Sequence, residues 1–379
     1  MPQADSWRPF EEAAADPWGW VRSWKRQNHG PVVAHLLPDA PIELIHAAGA
    51  LPVAISGASR PIEKAYVHLP SYICGHVAGA LEMRIERQLD CAAALVIPYV
   101  CDSTRNLYHT WKHLFAHEPV HLIRFPKRID MPAASGSFLK DELRKLAEFL
   151  FSAVGQRVSK DDLTQSIQTY NRLRAELRRA HRMHLEFPET WTASRLRLLM
   201  SSALVMPPEY HVECMAALPW EQEDSAASRR PLRRIYVRGK LWDPAELATI
   251  FDDVGFVLAG DETSAGCRHI EQDAPTDCDP WQALATRFLK TVPYAGYFSN
   301  PHGGPDALLE RVRSSRAAGV IFVDPKFCET FGFDTPDFQN TLKRNSIPSI
   351  VLETSPTGGQ TEQLRTRLEA FSEMIENGK

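Results

Sequence analysis

The sequence predicts an α/β protein with two parallel-sheet domains and a helical segment between them. Three observations predict it. Nearly continuous apolar runs such as CAAALVIPYV (91–100) and GVIFVD (319–324) read as strands buried on both faces, the pattern of parallel sheets. In two stretches, 1–135 and 231–379, such runs alternate with segments of helical period. Between them, 136–230 carries helical patterns without strands. The chain has 379 residues, more than one ordinary core accommodates. The expectation is therefore two Rossmann- or flavodoxin-like domains, 1–135 and 231–379, flanking a helical segment at 136–230.

Each element follows from local pattern. GPVVAHLLPD (30–39) reads as a strand and turn, and APIELIHAAG (40–49) as a helix closed by Gly49. LPVAISG (51–57) and KAYVHLP (64–70) read as strands. CGHVAGALEMRIERQLD (74–90) has helical period, with Val77, Leu81 and Ile85 on one side. In the helical segment, SFLKDELRKLAEFLFSAVG (137–155) is amphipathic, Ser159 suits an N-cap for 160–185, and 192–205 repeats the pattern. EQEDSAASRR (221–230) bounds it. Alternation resumes with strands at RRIYVRG (233–239), FVLAGDE (256–262), VPYAGYF (292–298), GVIFVD (319–324) and PSIVLE (348–353). Helices fall at 242–255, 305–319, through 338–345 and at 361–378.

Composition excludes several functions. Hydrophobic residues make up 44% and charged residues 24%, with a net charge of −4, so neither nucleic acid nor an anionic membrane is expected as a partner. No apolar stretch approaches a membrane span, and the start lacks a basic end followed by an apolar core. A cytoplasmic protein is expected, where disulfides are rare. The seven Cys are then core residues, metal ligands or reactive thiols.

Open α/β sheets bind ligands beyond the carboxyl ends of their strands. Cys74 follows AYVHLPSYI, Cys101 follows ALVIPYV and Cys328 follows GVIFVDPKF, so all three sit at strand exits. If the domains face each other, three sulfurs converge in one cleft. Soft thiolates suit zinc or iron–sulfur clusters, and three ligands on a four-iron cubane leave one iron open. No C-x-x-C pair typical of structural zinc occurs. Core packing of small apolar thiols is the competing reading. Cys91, at a strand start, and Cys214 fit that reading; Cys267 and Cys278 lie in a polar loop as a weak metal pair.

The segments SYIC (71–74), YVCDSTRNL (99–107) and VDPKFCE (323–329) resemble the three cysteine motifs of the 2-hydroxyacyl-CoA dehydratase and benzoyl-CoA reductase family. PIELIHAAGALPV, YNRLRAEL, GDETSAGCR and GGQTEQLRTRLEAFSEMI resemble further family blocks, in the same order and over nearly the whole chain. The resemblance implies a four-iron, four-sulfur ([4Fe–4S]) cluster on Cys74, Cys101 and Cys328. It implies a heteromeric enzyme with a sister substrate-side subunit, ATP-hydrolysing electron-activating subunits and reduced ferredoxin upstream. No G-x-x-x-x-G-K-[ST] phosphate loop occurs here, in keeping with ATP hydrolysis on a partner. Within the family the chain looks like the smaller substrate-side (C-type) subunit of an ATP-dependent benzoyl-CoA reductase, which reduces the ring of an aromatic acyl-CoA to a cyclic dienoyl-CoA. A dehydratase subunit and a non-catalytic scaffold subunit are the alternatives.

Other candidates carry less chemistry. Asp102, Ser103 and Glu329 adjoin the cysteines and suit proton relay or helix capping. Asp261 and Arg268, in GDETSAGCR, are candidates for a substrate cleft or for a salt link fixing the loop. His109, His113 and His117 share a helical face, with Pro119 expected to end the helix before His121; a solvated face is the simpler reading. The basic run RLRAELRRAHR reads as a solvated helix face, or as a site for CoA phosphates.

Overall fold

The computed structural model describes residues 6–37, 39–55, 61–220, 232–240, 245–291, 304–355 and 359–377. The chain opens with α1 (Arg8–Ala15) and α2 (Pro17–Asn28). The first sheet region follows as β1 (Val32–Leu36), α3 (Ile42–Ala47), β2 (Leu51–Ile55), α4 (Gly75–Ile85), β3 (Ala94–Tyr99), α5 (Asp102–Leu114) and β4 (Val120–Arg124). Four helices come next: α6 (Pro132–Val154), α7 (Lys160–Glu186), α8 (Ala193–Ser202) and α9 (Pro208–Ala216). The second region comprises β5 (Arg233–Gly239), α10 (Leu247–Val254), β6 (Phe256–Asp261), α11 (Cys267–Ile270), α12 (Pro280–Lys290), α13 (Pro305–Ser314), β7 (Gly319–Pro325), α14 (Glu329–Arg344), β8 (Ser349–Thr354) and α15 (Thr361–Glu376).

Two four-stranded sheets result, and every strand pair is parallel. Their orders, β2-β1-β3-β4 and β6-β5-β7-β8, are the same plan used twice. Each order reverses between its first and third strands, which opens a crevice at the carboxyl edge. The central strands are mostly buried on both faces, whereas the edge strands β4 and β8 are partly exposed. Val32, Ala34 and Leu36 face one cluster while Val33 faces another, and Ile321 and Val323 are split from Val320 and Phe322 in the same way.

Helix α7 joins the two regions. Ser159 caps it as expected: its Oγ accepts from the Asp162 N–H at 3.1 Å, and the Asp162 carboxylate accepts from the Ser159 N–H at 2.9 Å. At 1.5 Å per residue it spans about 40 Å. Leu163 and Ile167 pack under the first sheet, whereas Leu173, Leu177 and Ala180 pack under the second. Helix α12 returns from the second region to the first, where Ala283 and Leu284 share a cluster with Leu139, Leu146 and Leu163.

A buried charged hub ties these pieces. Glu43 is fully buried; Arg174 donates to its Oε1 at 2.7 Å, and Arg287 stands 3.5 Å away. Burial alone would raise the Glu43 carboxyl, but the guanidiniums of Arg287 and Arg174 outweigh it and hold the group at about 2. Asn171 accepts from the Ala274 N–H and donates to the Ala274 carbonyl, fixing the loop before α12.

Two expectations need correction, and two lie elsewhere. KAYVHLP is not a strand: Ala65–Val67 form a single 3₁₀ turn, and the Glu82 carboxylate accepts from the Lys64 and Ala65 N–H groups at 3.2 and 2.7 Å. The histidine ladder is broken, because α5 stops at Leu114, well before Pro119, and leaves His117 in a turn; His109, His113 and His117 are all exposed. The strand expected at 292–298 and the polar boundary at 221–230 lie outside the described residues.

Candidate functional site

Cys74, Cys101 and Cys328 are the N-cap residues of α4, α5 and α14. Each chain segment leaves the carboxyl side of a sheet and enters a helix at its cysteine. The two sheets give Cys101 and Cys328 equivalent positions, each after the third strand of its sheet. A helix N-terminus carries partial positive charge, which favours a thiolate.

Local contacts fix each turn. Thr104 Oγ1 donates to the Cys101 carbonyl at 2.8 Å and accepts from the Cys101 N–H at 3.4 Å, so the turn is closed by Cys101 and Thr104 rather than by Asp102 or Ser103. Cys328 Sγ lies 3.5 Å from Thr330 Oγ1. Phe327, just before it, has φ +62, a left-handed conformation that costs a bulky residue about 1–2 kcal/mol and turns the chain sharply out of β7.

Cys74 is 2% exposed, and burial pushes its thiol up. The Lys240 ammonium opposes that rise, while the Cys328 and Cys101 thiols add to it. Lys240 directly follows β5 and is 1% exposed. A second lysine, Lys127, donates to the Val100 carbonyl at 3.1 Å; burial lowers it, and Cys101 and Asp102 act in the opposite direction. Among the described residues, no three His, Cys, Asp or Glu side chains stand close enough to share a single metal ion. Three soft sulfurs, were they to share a group, would suit a multi-iron cluster in which each binds a different iron.

The remaining candidates are placed as follows. Asp102 begins α5, exposed, 3.3 Å from Arg105. Glu329 begins α14 and is exposed. Asp261 ends β6 and is 5% exposed; its Oδ1 accepts from Thr263 N–H, Thr263 Oγ1 and Cys267 N–H at 2.8, 2.8 and 3.0 Å. A Cβ at Gly266 would lie 2.3 Å from that carboxylate, so the turn requires glycine. Arg268 pairs with Asp39, just beyond β1, and so links the two regions. Cys278 is exposed, while Cys267 faces His181 at 3.8 Å, so they form no pair. Cys91 precedes β3 rather than beginning it. Of the basic run of α7, Arg174 is buried against Glu43 and Arg178 pairs with Asp273, whereas Arg172, Arg179 and Arg182 are exposed, as a solvated face requires.

Lys240 escapes a reading of motifs. Its one signal in the sequence is a cation placed directly after the carboxyl end of β5. A cavity of about 380 Å³ lined by Ala34, Arg84, Asp90, Trp111 and Glu118 opens at the amino ends of β3 and β4, the edge opposite the cysteines.

Comparison with known proteins finds relatives that match nearly the whole chain. A benzoyl-CoA reductase subunit of Thauera aromatica is 27% identical over 362 residues, covering 94% of each chain. The (R)-phenyllactyl-CoA dehydratase beta subunit of Clostridium sporogenes is 24% identical over 97% of each chain. The beta subunit of (R)-2-hydroxyglutaryl-CoA dehydratase of Acidaminococcus fermentans is 25% identical, over 97% of this chain and 98% of its own. The model of the family described as 2-hydroxyglutaryl-CoA dehydratase, D-component, matches residues 39–375, and the chain belongs to that family.

Proposed function

We propose that the chain is the smaller substrate-side subunit of an ATP-dependent benzoyl-CoA reductase, with a [4Fe–4S] cluster held by Cys74, Cys101 and Cys328. The observation that carries this reading is the set of three cysteine N-caps, drawn from both sheets, each opening a helix. When bound, the cluster supplies one-electron transfer at low potential and one iron without a protein ligand. The chain's own residues hold it and set its surroundings. The N-termini of α4, α5 and α14 stabilise negative charge on the sulfurs. Burial of Cys74 excludes water from that sulfur, which drives the potential downward. Asp102 and Glu329, exposed beside two of the ligands, are positioned to exchange protons with solvent or a partner. Asp261 and Arg268 shape the loop that borders the crevice.

The electrons would come from ATP-hydrolysing subunits supplied by reduced ferredoxin. A sister subunit would complete the substrate cleft, and the product would be a cyclic dienoyl-CoA. The family's dehydratase activity is the second reading, favoured by relatives of 24% and 25% identity that are dehydratase beta subunits. The reconstituted complex, assayed anaerobically with benzoyl-CoA and with a 2-hydroxyacyl-CoA, separates the two. Ring reduction without water elimination supports the reductase, and elimination without ring reduction replaces it with the dehydratase. Full activity in a complex carrying an iron-free chain would mean a scaffold role instead.

A further inference from the structure

We propose that Asp324 is a positioning residue: by accepting a hydrogen bond from Thr335 it clasps the turn that carries Cys328. The inference rests on the reading of Cys328 as a cluster ligand and deepens it.

Thr335 Oγ1 donates to Asp324 Oδ2 at 2.8 Å, which joins β7 to α14 with Cys328 enclosed between them. The enclosed turn needs such a hold. Phe327 has φ +62, a conformation that a bulky residue keeps only where its surroundings enforce it. Its own side chain is 46% exposed, so packing of that ring does not supply the hold. Pro336 then stands inside α14 and lacks the N–H that would bond the Gly332 carbonyl. The helical ladder is therefore interrupted directly after Thr335. Beyond the gap, Phe338 and Leu342 share a cluster with Val320 and Phe322 of β7. Ahead of it, Phe331 lies beside the Arg238 guanidinium at 5.0 Å, and Thr335 bonds Asp324.

The alternation of β7 puts Asp324 on the side of Val320 and Phe322, the side that α14 covers. Its Oδ1 is buried and accepts no hydrogen bond, so Thr335 is the one donor to this carboxylate among the described residues. Burial disfavours the charged carboxylate; the Thr335 hydroxyl and the Arg238 guanidinium, on the neighbouring β5, oppose it. A buried acceptor left without its donor is costly. Opening of the turn towards water relieves that cost, and it would carry Cys328 away from its place.

The test sets Thr335→Val and Thr335→Ser beside wild type. Hydrogen exchange of the full chain is followed by mass spectrometry, and the reduced complex, reconstituted without oxygen, by electron paramagnetic resonance. In Thr335→Val the amides of 328–335 are expected to exchange about tenfold faster, those of β1 to β4 to stay unchanged, and the resonance to shift. Thr335→Ser, which keeps the hydroxyl, is expected to match wild type in both. Should Thr335→Val fold poorly, Thr335→Ala lacks the same hydroxyl and carries the same expectation. Unchanged exchange at 328–335 in the hydroxyl-free variant, or equal acceleration in both sheet regions, overturns the clasp alone. Local acceleration with an unshifted resonance overturns its positioning role. An iron-free wild-type chain overturns the cluster reading, and the positioning role with it.

Discussion

The two sheet regions share a strand order but not their exits. The first ends its central strands in Leu37 and Val100, both buried and apolar, and contributes Cys74 and Cys101. The second ends its own in charged groups and contributes only Cys328. Lys240 follows β5; Arg238, 4% exposed, lies within 3.5 Å of Glu262, 3.8 Å of Asp334 and over the Phe338 ring. Asp324, near the end of β7, is raised by burial, and Thr335 Oγ1 donates to it at 2.8 Å. The contrast amounts to a division of labour. A repeated scaffold sets cysteines at matching positions, and the residues at the strand exits then make one wall apolar and the other charged.

The largest stability effect belongs to the hub between the regions. Arg174→Ala leaves Glu43 without its closest partner in a dry site and should cost about 3–5 kcal/mol in urea unfolding. A loss below about 1 kcal/mol would mean that the regions are held by apolar contact alone. Acid should then affect both regions alike. His35 in β1 and His184 in α7 are each lowered by burial to about 4, and His184 Nε2 accepts from the Leu258 N–H at 2.9 Å. Each has a folded pKa below its unfolded value of 6.5, so the unfolded chain binds more protons between these limits. Stability is complete above 6.5 and falls as pH drops towards 4, by on the order of 2 kcal/mol per histidine at about pH 5. Urea midpoints measured across this window check it, and His184→Gln should flatten the slope. Gly266→Ala, confined to the second region, should cost about 1–3 kcal/mol by forcing a methyl group into the Asp261 carboxylate. Arg105→Ala removes an exposed ion pair with Asp102 and should change stability by less than about 1 kcal/mol.

Most strands are legible in the sequence because covering both faces demands continuous apolar runs, as in 94–99 and 319–325. The misread strand at 64–70 has a physical cause. Its buried residues, Ala65 and Leu69, are spaced as on a helical turn, while Val67 is 79% exposed. The turn is held by Glu82, a partner from the next helix that local pattern does not reveal. Helix α5 ends early for a similar reason. Trp111 and Arg84 both donate to Glu118, which draws the chain into a turn before Pro119. Cys101 and Cys328 can be read from the exits of β3 and β7, whereas the segment before Cys74 is a 3₁₀ turn rather than the strand expected there. Lys240 is buried at the carboxyl end of β5, a placement that local pattern does not reveal.

If sulfurs from both sheets grip one cluster, losing a cysteine from either sheet must release it. The decisive experiment counts iron and acid-labile sulfide in the chain purified without oxygen, with wild type set beside Cys101→Ala and Cys328→Ala. About four of each per wild-type chain are expected, with near-complete loss in both variants. Retention of the full complement by either variant, or zinc in place of iron, would refute the shared cluster.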